Sequence, residues 1–296
     1  MKIYLNAVFG IISNTKFQRF GPGHKVLIVN FGALGDFVHS IPLVEYLSQN
    51  GFDVKIRTKD SNKLPLIGLD YDDTTPAAHF DMVFNVNAPD VMLGELFFAN
   101  TFDFFGEKVL RKYIKKDWKE IHWADFYLNT AEKLLGLPKF VEKTKHPTSG
   151  EKIIIHPGAS APEKSWGDDN FVWLAEKLSK KYPVWIVLGP AEYGLAEKFK
   201  GMTVFKCKDL DELTIILSYG RLFIGNDSGV MHVASLFDMP IVGIFSVGCA
   251  HTHYPRSPKA DYWFDEEQFM AFYKKKRVLP SKLTQSQCLK MVQKAL

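Results

Sequence analysis

Apolar residues come in short unbroken runs, set apart by glycine-bearing turns and by stretches with helical spacing. Residues 25–30 (KVLIVN), 53–58 (DVKIRT) and 81–87 (DMVFNVN) have strand length and little alternation. That is the pattern of strands covered on both faces of a parallel sheet. Residues 37–49 place Phe37, Val38, Ile41, Val44 and Leu47 on one helical face, with Pro42 expected to bend it. Residues 97–137 read as helical with polar faces. A polar stretch, 140–150 (FVEKTKHPTSG), interrupts the pattern and predicts a linker. Beyond it the rhythm restarts, with strands at 152–156, 184–188, 203–206, 221–225 and 241–245. The helices between and after them fall at 171–182, 194–199, 210–218 and 229–237. The chain then turns aromatic over 265–273 and basic over 274–277, and Ser281 or Thr284 stands ready to cap a last helix.

Strands alternating with helices predict parallel sheets with right-handed crossovers. With the linker, the expectation is an α/β protein of two Rossmann-like domains, 1–145 and 146–296, facing across a cleft. The last helix is free to pack back on the first domain. Ligands of such sheets lie beyond the carboxyl ends of the strands. Five glycine-bearing or polar loops fall there: 32–36, 156–164, 189–192, 226–232 and 246–253. In 221–235 (RLFIGNDSGVMHVAS) a buried strand stops at turn residues and feeds a helix. The free N–H groups of such a helix start attract an anion, most often a phosphate. The same residues also describe an ordinary capped helix, with Asp227 or Ser228 as the cap, and both readings stay open. Gly32 and Gly35 follow the spacing GxxGD rather than GxGxxG, which disfavours a nicotinamide enzyme.

Composition narrows the class. A chain of 296 residues, 46% hydrophobic and 24% charged, suits a soluble globular protein with room for two cores. Its net charge of +4 favours anionic partners without demanding nucleic acid. Cys207, Cys249 and Cys288 are scattered and form no CxxC, which fits a reducing cytoplasm. Residues 3–12 are apolar but too short to span a bilayer, and no cleavage-site pattern follows them. With Lys16 and Arg19 they read as an arm packed on its own domain or as an interfacial anchor. Lys108, Arg111, Lys112, Lys115, Lys116 and Lys119 form either a solvated helix face or a surface for an anionic acceptor or membrane. Residues 274–277, beside Phe269, Phe272 and Tyr273, can also face a bilayer. Cys249, His251 and His253 carry ligand chemistry, but no fourth ligand is evident, so no metal site is assigned. Asp209-Leu210-Asp211 lies at a helix start and is no convincing metal motif.

Four segments in order carry a resemblance: KVLIVNFGALGDFVHSIP, IIIHPGASAPEKSWGDDNF, VLGPAE and GNDSGVMHVASLFDMPIVGIF. Over residues 25–245 the chain resembles the bacterial heptosyltransferases, glycosyltransferase family nine. The resemblance implies a GT-B fold, with an acceptor domain first and a nucleotide-sugar domain second. It implies inverting, metal-independent transfer from ADP-heptose to the inner core of lipopolysaccharide, at the cytoplasmic face of the inner membrane. No cofactor beyond the nucleotide-sugar co-substrate is implied. The implied acceptor is a lipid-linked anionic sugar of the lipid A–Kdo type, reached through peripheral contact with an anionic membrane.

Residue by residue, Asp36 matches the family's general base, which takes the acceptor hydroxyl proton as C1 is attacked; its other reading is a helix cap. Gly35, His39 and Arg57 fall on the acceptor side. Lys164 matches the lysine that holds the donor phosphates, where a fixed cation stabilises the departing diphosphate. Glu192 matches the ribose-binding acid, and Ser228 and Gly229 match the phosphate turn. Asp227 orients sugar hydroxyls or the turn itself, and His232 and Ser160 complete the donor side. After Phe245 the family continues with Gly-Pro-Thr or similar, whereas this chain reads SVGCAHTH. Two other readings stay open. A nucleotide-sugar epimerase on the same fold needs a second acid or base near C2, which the sequence does not identify. A non-catalytic scaffold in envelope assembly has no need of Asp36, Lys164 and Asp227 together.

Overall fold

The computed structural model describes residues 20–59, 63, 66, 79–87, 100–103, 121–142 and 145–296. The apolar arm at 3–12 and the basic segment at 108–119 lie outside them. The chain divides into two compact units, Met1–Lys143 and Thr144–Leu296.

In the first unit the described elements are β1 (Lys25–Asn30), α1 (Leu34–Gln49), β2 (Asp53–Arg57), β3 (Met82–Asn87), β4 (Asn100–Asp103) and α2 (Trp123–Leu135). The strands form one parallel sheet in the order β2-β1-β3-β4. β1 lies inside it, which is why KVLIVN is apolar without alternation. Val26 and Ile28 join Phe37, Leu43, Leu47, Leu128 and Leu134 in one cluster, while Leu27 and Val29 meet Phe80 and Val83 in another. α1 runs unbroken through Pro42, whose missing N–H costs one helical bond. α2 begins at His122, whose Nδ1 accepts from the Ala124 N–H, and stops at Gly136 in the left-handed region (φ +63°). The helical reading of 97–137 is corrected at its start: Asn100–Asp103 is a strand, held by parallel pairing to β3. Pairing with a partner strand outweighs the local preference of four residues.

The second unit carries β5 (Lys152–His156), α3 (Asp168–Ser179), β6 (Val184–Leu188), β7 (Thr203–Lys206), α4 (Leu210–Leu217), β8 (Gly220–Asn226), α5 (Gly229–Ala234), β9 (Ile241–Phe245), α6 (Ala250–His253), β10 (Ala260–Phe264), α7 (Glu266–Tyr273) and α8 (Gln285–Ala295). Its sheet, parallel throughout, has the order β10-β9-β8-β5-β6-β7. The order reverses beside β5, the place where such sheets open a crevice at their carboxyl edge. α8 packs on α3, β9 and β10, with Cys288 and Val292 sealed in the core. Thr284 and Gln287 cap it reciprocally.

Three local readings change. Residues 194–199 belong to a 3₁₀ stretch, Pro190–Phe199, rather than an α-helix. α5 ends at Ala234, because the following residues turn to meet the linker: His146 donates its N–H to Leu236 O and accepts one from Asp238. Ala260–Phe264 is an edge strand that the pattern did not suggest. Among the described residues, no helix is long and apolar enough to cross a membrane.

Candidate functional site

The carboxyl edge of the second sheet is tied together by one fully buried side chain. Asn226 ends β8, and its Oδ1 accepts from the Trp166 N–H at 3.0 Å. Its Nδ2 donates to Pro157 O at 2.7 Å and to Gly158 O at 3.3 Å. One amide thus docks the HPG turn after β5 and the KSW segment onto the end of β8. A short 3₁₀ turn, Pro162–Lys164, then delivers the lysine to the same place.

Lys164 Nζ donates to Asp227 Oδ2 at 2.7 Å. His232 Nε2 stands 3.7 Å from the other oxygen. A Cβ on Gly248 would collide with Asp227 Oδ2, so only glycine lets this loop close over the carboxylate. Asp227 is buried, as is His232, while Lys164 keeps 29% of its side chain exposed. Burial works against a charged Asp227. The His232 imidazole and the Lys164 ammonium outweigh it and hold the carboxyl well below the usual carboxylate range. Ser228 caps α5, its Oγ accepting from the Met231 N–H at 3.3 Å, and Gly229 opens the helix.

A second cluster forms where β5 and β6 end. His156 Nδ1–H donates to Val187 O at 2.9 Å, which leaves Nε2 as the acceptor. Burial pushes this imidazole down, against the carbonyl bond and the Glu192 charge, so it stays neutral. Glu192 Oε2 accepts from the Gly189 N–H at 2.8 Å. A Cβ on Gly158 would stand 2.7 Å from His156 Nε2 and 2.8 Å from Glu192 Cδ. The imidazole and the carboxylate therefore converge on one glycine, and Gly158 must be bare for both to fit.

In the first unit, Asn30 ends β1, accepts from the Gly32 N–H at 3.0 Å, and donates to Ser40 Oγ at 3.1 Å and Asp36 O at 3.2 Å. The FGALGD turn is fixed at both ends. Lys63 Nζ donates to Gly32 O at 2.8 Å from a buried position beside the Phe37 ring. Asp36 is half-buried, and its Oδ2 accepts from the Ala33 N–H at 3.0 Å. One helical turn on, His39 meets the His122 ring edge-on at 4.9 Å. Burial first, then the Asp36 charge, pushes the Tyr127 hydroxyl far up. Two helix starts, those of α1 and α2, thus bring Asp36, His39, His122 and Tyr127 together.

The expected residues fall into place unevenly. Lys164, Asp227, Ser228, Gly229 and His232 gather at the ends of β5 and β8, and Glu192 stands at the neighbouring turn after β6. Gly35, Asp36 and His39 share the first turns of α1, and Arg57 is buried at the end of β2. Ser160 is exposed in the loop after β5. Asp227, expected to orient sugar hydroxyls or the turn itself, pairs with Lys164 and faces His232. His251 rests on the Phe264 ring at 5.1 Å, and Thr252 Oγ1 lies 2.6 Å from His253 Nδ1. Burial pushes the Cys249 thiol up, which disfavours the thiolate a metal would need. The sequence places Asn226, His156, Gly158 and Gly248 in its ligand-edge loops without giving them a role, and it does not single out Lys63. Asn226 was in view as turn chemistry, and its place at the end of a wholly apolar strand was the available signal.

The family model described as glycosyltransferase family 9 (heptosyltransferase) matches residues 119–281. Lipooligosaccharide heptosyltransferase 2 of Campylobacter jejuni is 29% identical over a stretch that covers 44% of this chain and 48% of that protein. The match thus spans about half the length of that curated relative. Among solved structures, a family 9 glycosyl transferase from Veillonella parvula has a TM-score of 0.71 at 16% identity, covering 93% of this chain and 97% of its own. The E. coli heptosyltransferase WaaC with ADP has a TM-score of 0.69 at 14% identity, covering 92% of this chain and all (100%) of its own. E. coli ADP-heptose lps heptosyltransferase II has a TM-score of 0.67 at 17% identity, covering 92% and 98%. These likenesses establish the fold, the α/β GT-B fold of parallel sheets.

Proposed function

Because the chain belongs to glycosyltransferase family 9, the heptosyltransferases, we propose that it moves a heptose or a related sugar from an ADP-sugar to the inner core of lipopolysaccharide. The observation that carries this reading is the Lys164–Asp227–His232 group at the crevice edge of the second sheet. An ammonium has three N–H donors, and Asp227 takes one. The part-exposed remainder is aimed and held still by a buried anion, which suits it to the oxygens of a diphosphate. Ser228 and Gly229 add the start of α5, and Glu192 offers its second oxygen to a vicinal diol such as a ribose.

The reaction we propose is a single inverting displacement. The acceptor hydroxyl attacks C1 of the sugar, and Asp36 takes its proton. The bond from C1 to the diphosphate oxygen breaks, and Lys164 receives the charge that develops there, without need of a metal. Asp36 suits this role because its Oδ2 is held by the Ala33 N–H while Oδ1 has no hydrogen bond from a described residue. Asp227 does not suit it, being held ionised by two partners. The acceptor is read as a lipid-linked anionic sugar, met at the cytoplasmic face of the inner membrane.

Calorimetry of ADP with a chelator present tests the reading. Binding is expected without metal, and Lys164→Ala is expected to weaken it by about 1.5–3 kcal/mol, the range for a charge-assisted hydrogen bond. Unchanged affinity in that variant, or a strict need for magnesium, would overturn the phosphate assignment.

A further inference from the structure

The end of α7 carries an exposed surface that the proposed reaction leaves unused. The sequence over 272–280 is FYKKKRVLP, with four consecutive cations and no acid. Phe272 is 45% exposed, Tyr273 59% and Leu279 51%, three of the most exposed large apolar side chains among the described residues. Lys274, Lys275, Lys276 and Arg277 are all exposed beside them.

This is a built loop rather than a loose one. Lys275 adopts the left-handed region (φ +54°), where glycine is usual. Around it the Lys276 N–H donates to Ala271 O at 2.8 Å and the Lys275 N–H to Phe272 O at 2.9 Å, a paired helix-ending motif. The chain then folds back, because Gln268 Oε1 accepts from the Leu279 N–H at 2.8 Å. Gln268 is buried, and Phe272 lies one helical turn beyond it, so the backbone at Leu279 returns to the face of α7 that Gln268 and Phe272 occupy. The next lysine, Lys282, is already taken by Glu267. The backbone thus spends a left-handed residue and a buried amide to present cations and apolar side chains together.

We propose that the surface 272–279 docks on an anionic lipid bilayer. Cations near such a surface are drawn to its negative potential within a Debye length. Aromatic and aliphatic side chains seat at the headgroup level, and tyrosine keeps its hydroxyl wet while doing so. Either signal alone gives marginal binding, and the pairing of two is what makes a peripheral anchor. The proposal rests on the reading that puts the acceptor at a membrane, and the two fail separately, since ADP affinity tests sugar transfer and vesicles test this surface.

Co-sedimentation with phosphatidylethanolamine–phosphatidylglycerol vesicles, and with phosphatidylcholine vesicles, decides it. The full chain is expected to bind the anionic vesicles at low salt and to ignore the neutral ones. Lys274→Glu, Lys276→Glu and Arg277→Glu combined are expected to lower the partition coefficient by about tenfold or more. Phe272→Ser with Tyr273→Ser keeps every charge and is expected to cost several-fold and to make the residual binding vanish at high salt. Both variants change exposed positions, so far-UV circular dichroism and the thermal midpoint serve as the check that the unit is folded. No binding of the parent protein to anionic vesicles would overturn the proposal. Parent-like binding by both variants would overturn it too, by moving the contact to another surface. Full binding by the serine variant, with equal affinity for heparin, would replace the bilayer with a soluble polyanion.

Discussion

Asp36 and Asp227 each stand near the helix start that follows a buried parallel strand of their own unit. Asp227 follows β8 directly, ahead of the Ser228 cap of α5, and stands 3.7 Å from His232 Nε2, whereas Asp36 is the third residue of α1. What surrounds them differs. Asp227 is buried, paired with Lys164 at 2.7 Å, and closed over by Gly248. Asp36 is half-buried, and its described hydrogen bond comes from the Ala33 N–H of its own helix start. A carboxylate held ionised by a cation cannot serve as a proton acceptor near neutrality, but it can aim that cation. A carboxylate with one oxygen fixed and one unengaged can take a proton. Both carboxylates sit near a helix start, and the neighbouring cation decides the chemistry.

The strongest way to break this contrast is Asp227→Ala. It leaves a half-buried ammonium and a buried imidazole without their anion, and removing one partner of such a pair costs about 3–5 kcal/mol. Chemical denaturation at neutral pH reads it. The same contrast has a pH signature. The Asp227 carboxyl lies below its unfolded value, so its contribution is complete at neutral pH and is lost as the solution is acidified below about pH 4. The parent protein is expected to lose stability steeply there, and Asp227→Asn to show a shallower loss. Parallel acid profiles for the two would remove the ionised-anion account.

Asp36→Asn comes next. Turnover is expected to fall by about 10²-fold or more, close to 2.7 kcal/mol of barrier, with ADP affinity nearly intact. Gly248→Ala is smaller. Its methyl group would strike Asp227 Oδ2, so the loop or the ion pair has to shift, at about 1–3 kcal/mol. A neutral outcome would mean that the loop over Asp227 yields freely.

Much of this plan was legible in the chain. KVLIVN, KIIIH and RLFIG are apolar without alternation because parallel strands are covered on both faces, and that pattern placed the strands. β10 escaped because ADYWF is half-exposed at a sheet edge, where neither a buried run nor an alternation develops. The ends of helices were less legible than their middles. α5 stops early only because the linker's His146 captures the next turn, a contact between distant residues. In the site, the residue types were readable and their partners were not. Lys164 and Asp227 are 63 residues apart, and the amide of Asn226 that docks the lysine's segment is a tertiary contact. So the sequence offers Asp227 for the sugar hydroxyls or for the turn itself, and its pairing with Lys164 is visible only in the fold. Gly158 and Gly248 are bare because of side chains that local sequence does not place beside them.

The smallest effect separates the two roles that Asp36 combines. Its Oδ2 accepts from the Ala33 N–H and helps start α1, so cap and base are the same side chain. Asparagine keeps an oxygen for that N–H and gives up only the charge facing the helix start. Alanine gives up the hydrogen bond as well. Asp36→Ala is therefore expected to be about 0.5–1 kcal/mol less stable than Asp36→Asn, a difference that denaturant midpoints resolve. Turnover is expected to ignore that difference, because neither side chain can take a proton and both variants stand equally far below the parent. If turnover instead follows stability, with Asp36→Asn near the parent and Asp36→Ala below it, Asp36 is a cap alone. The contrast with Asp227 would then be between two structural acids, and the proton acceptor would have to be sought elsewhere.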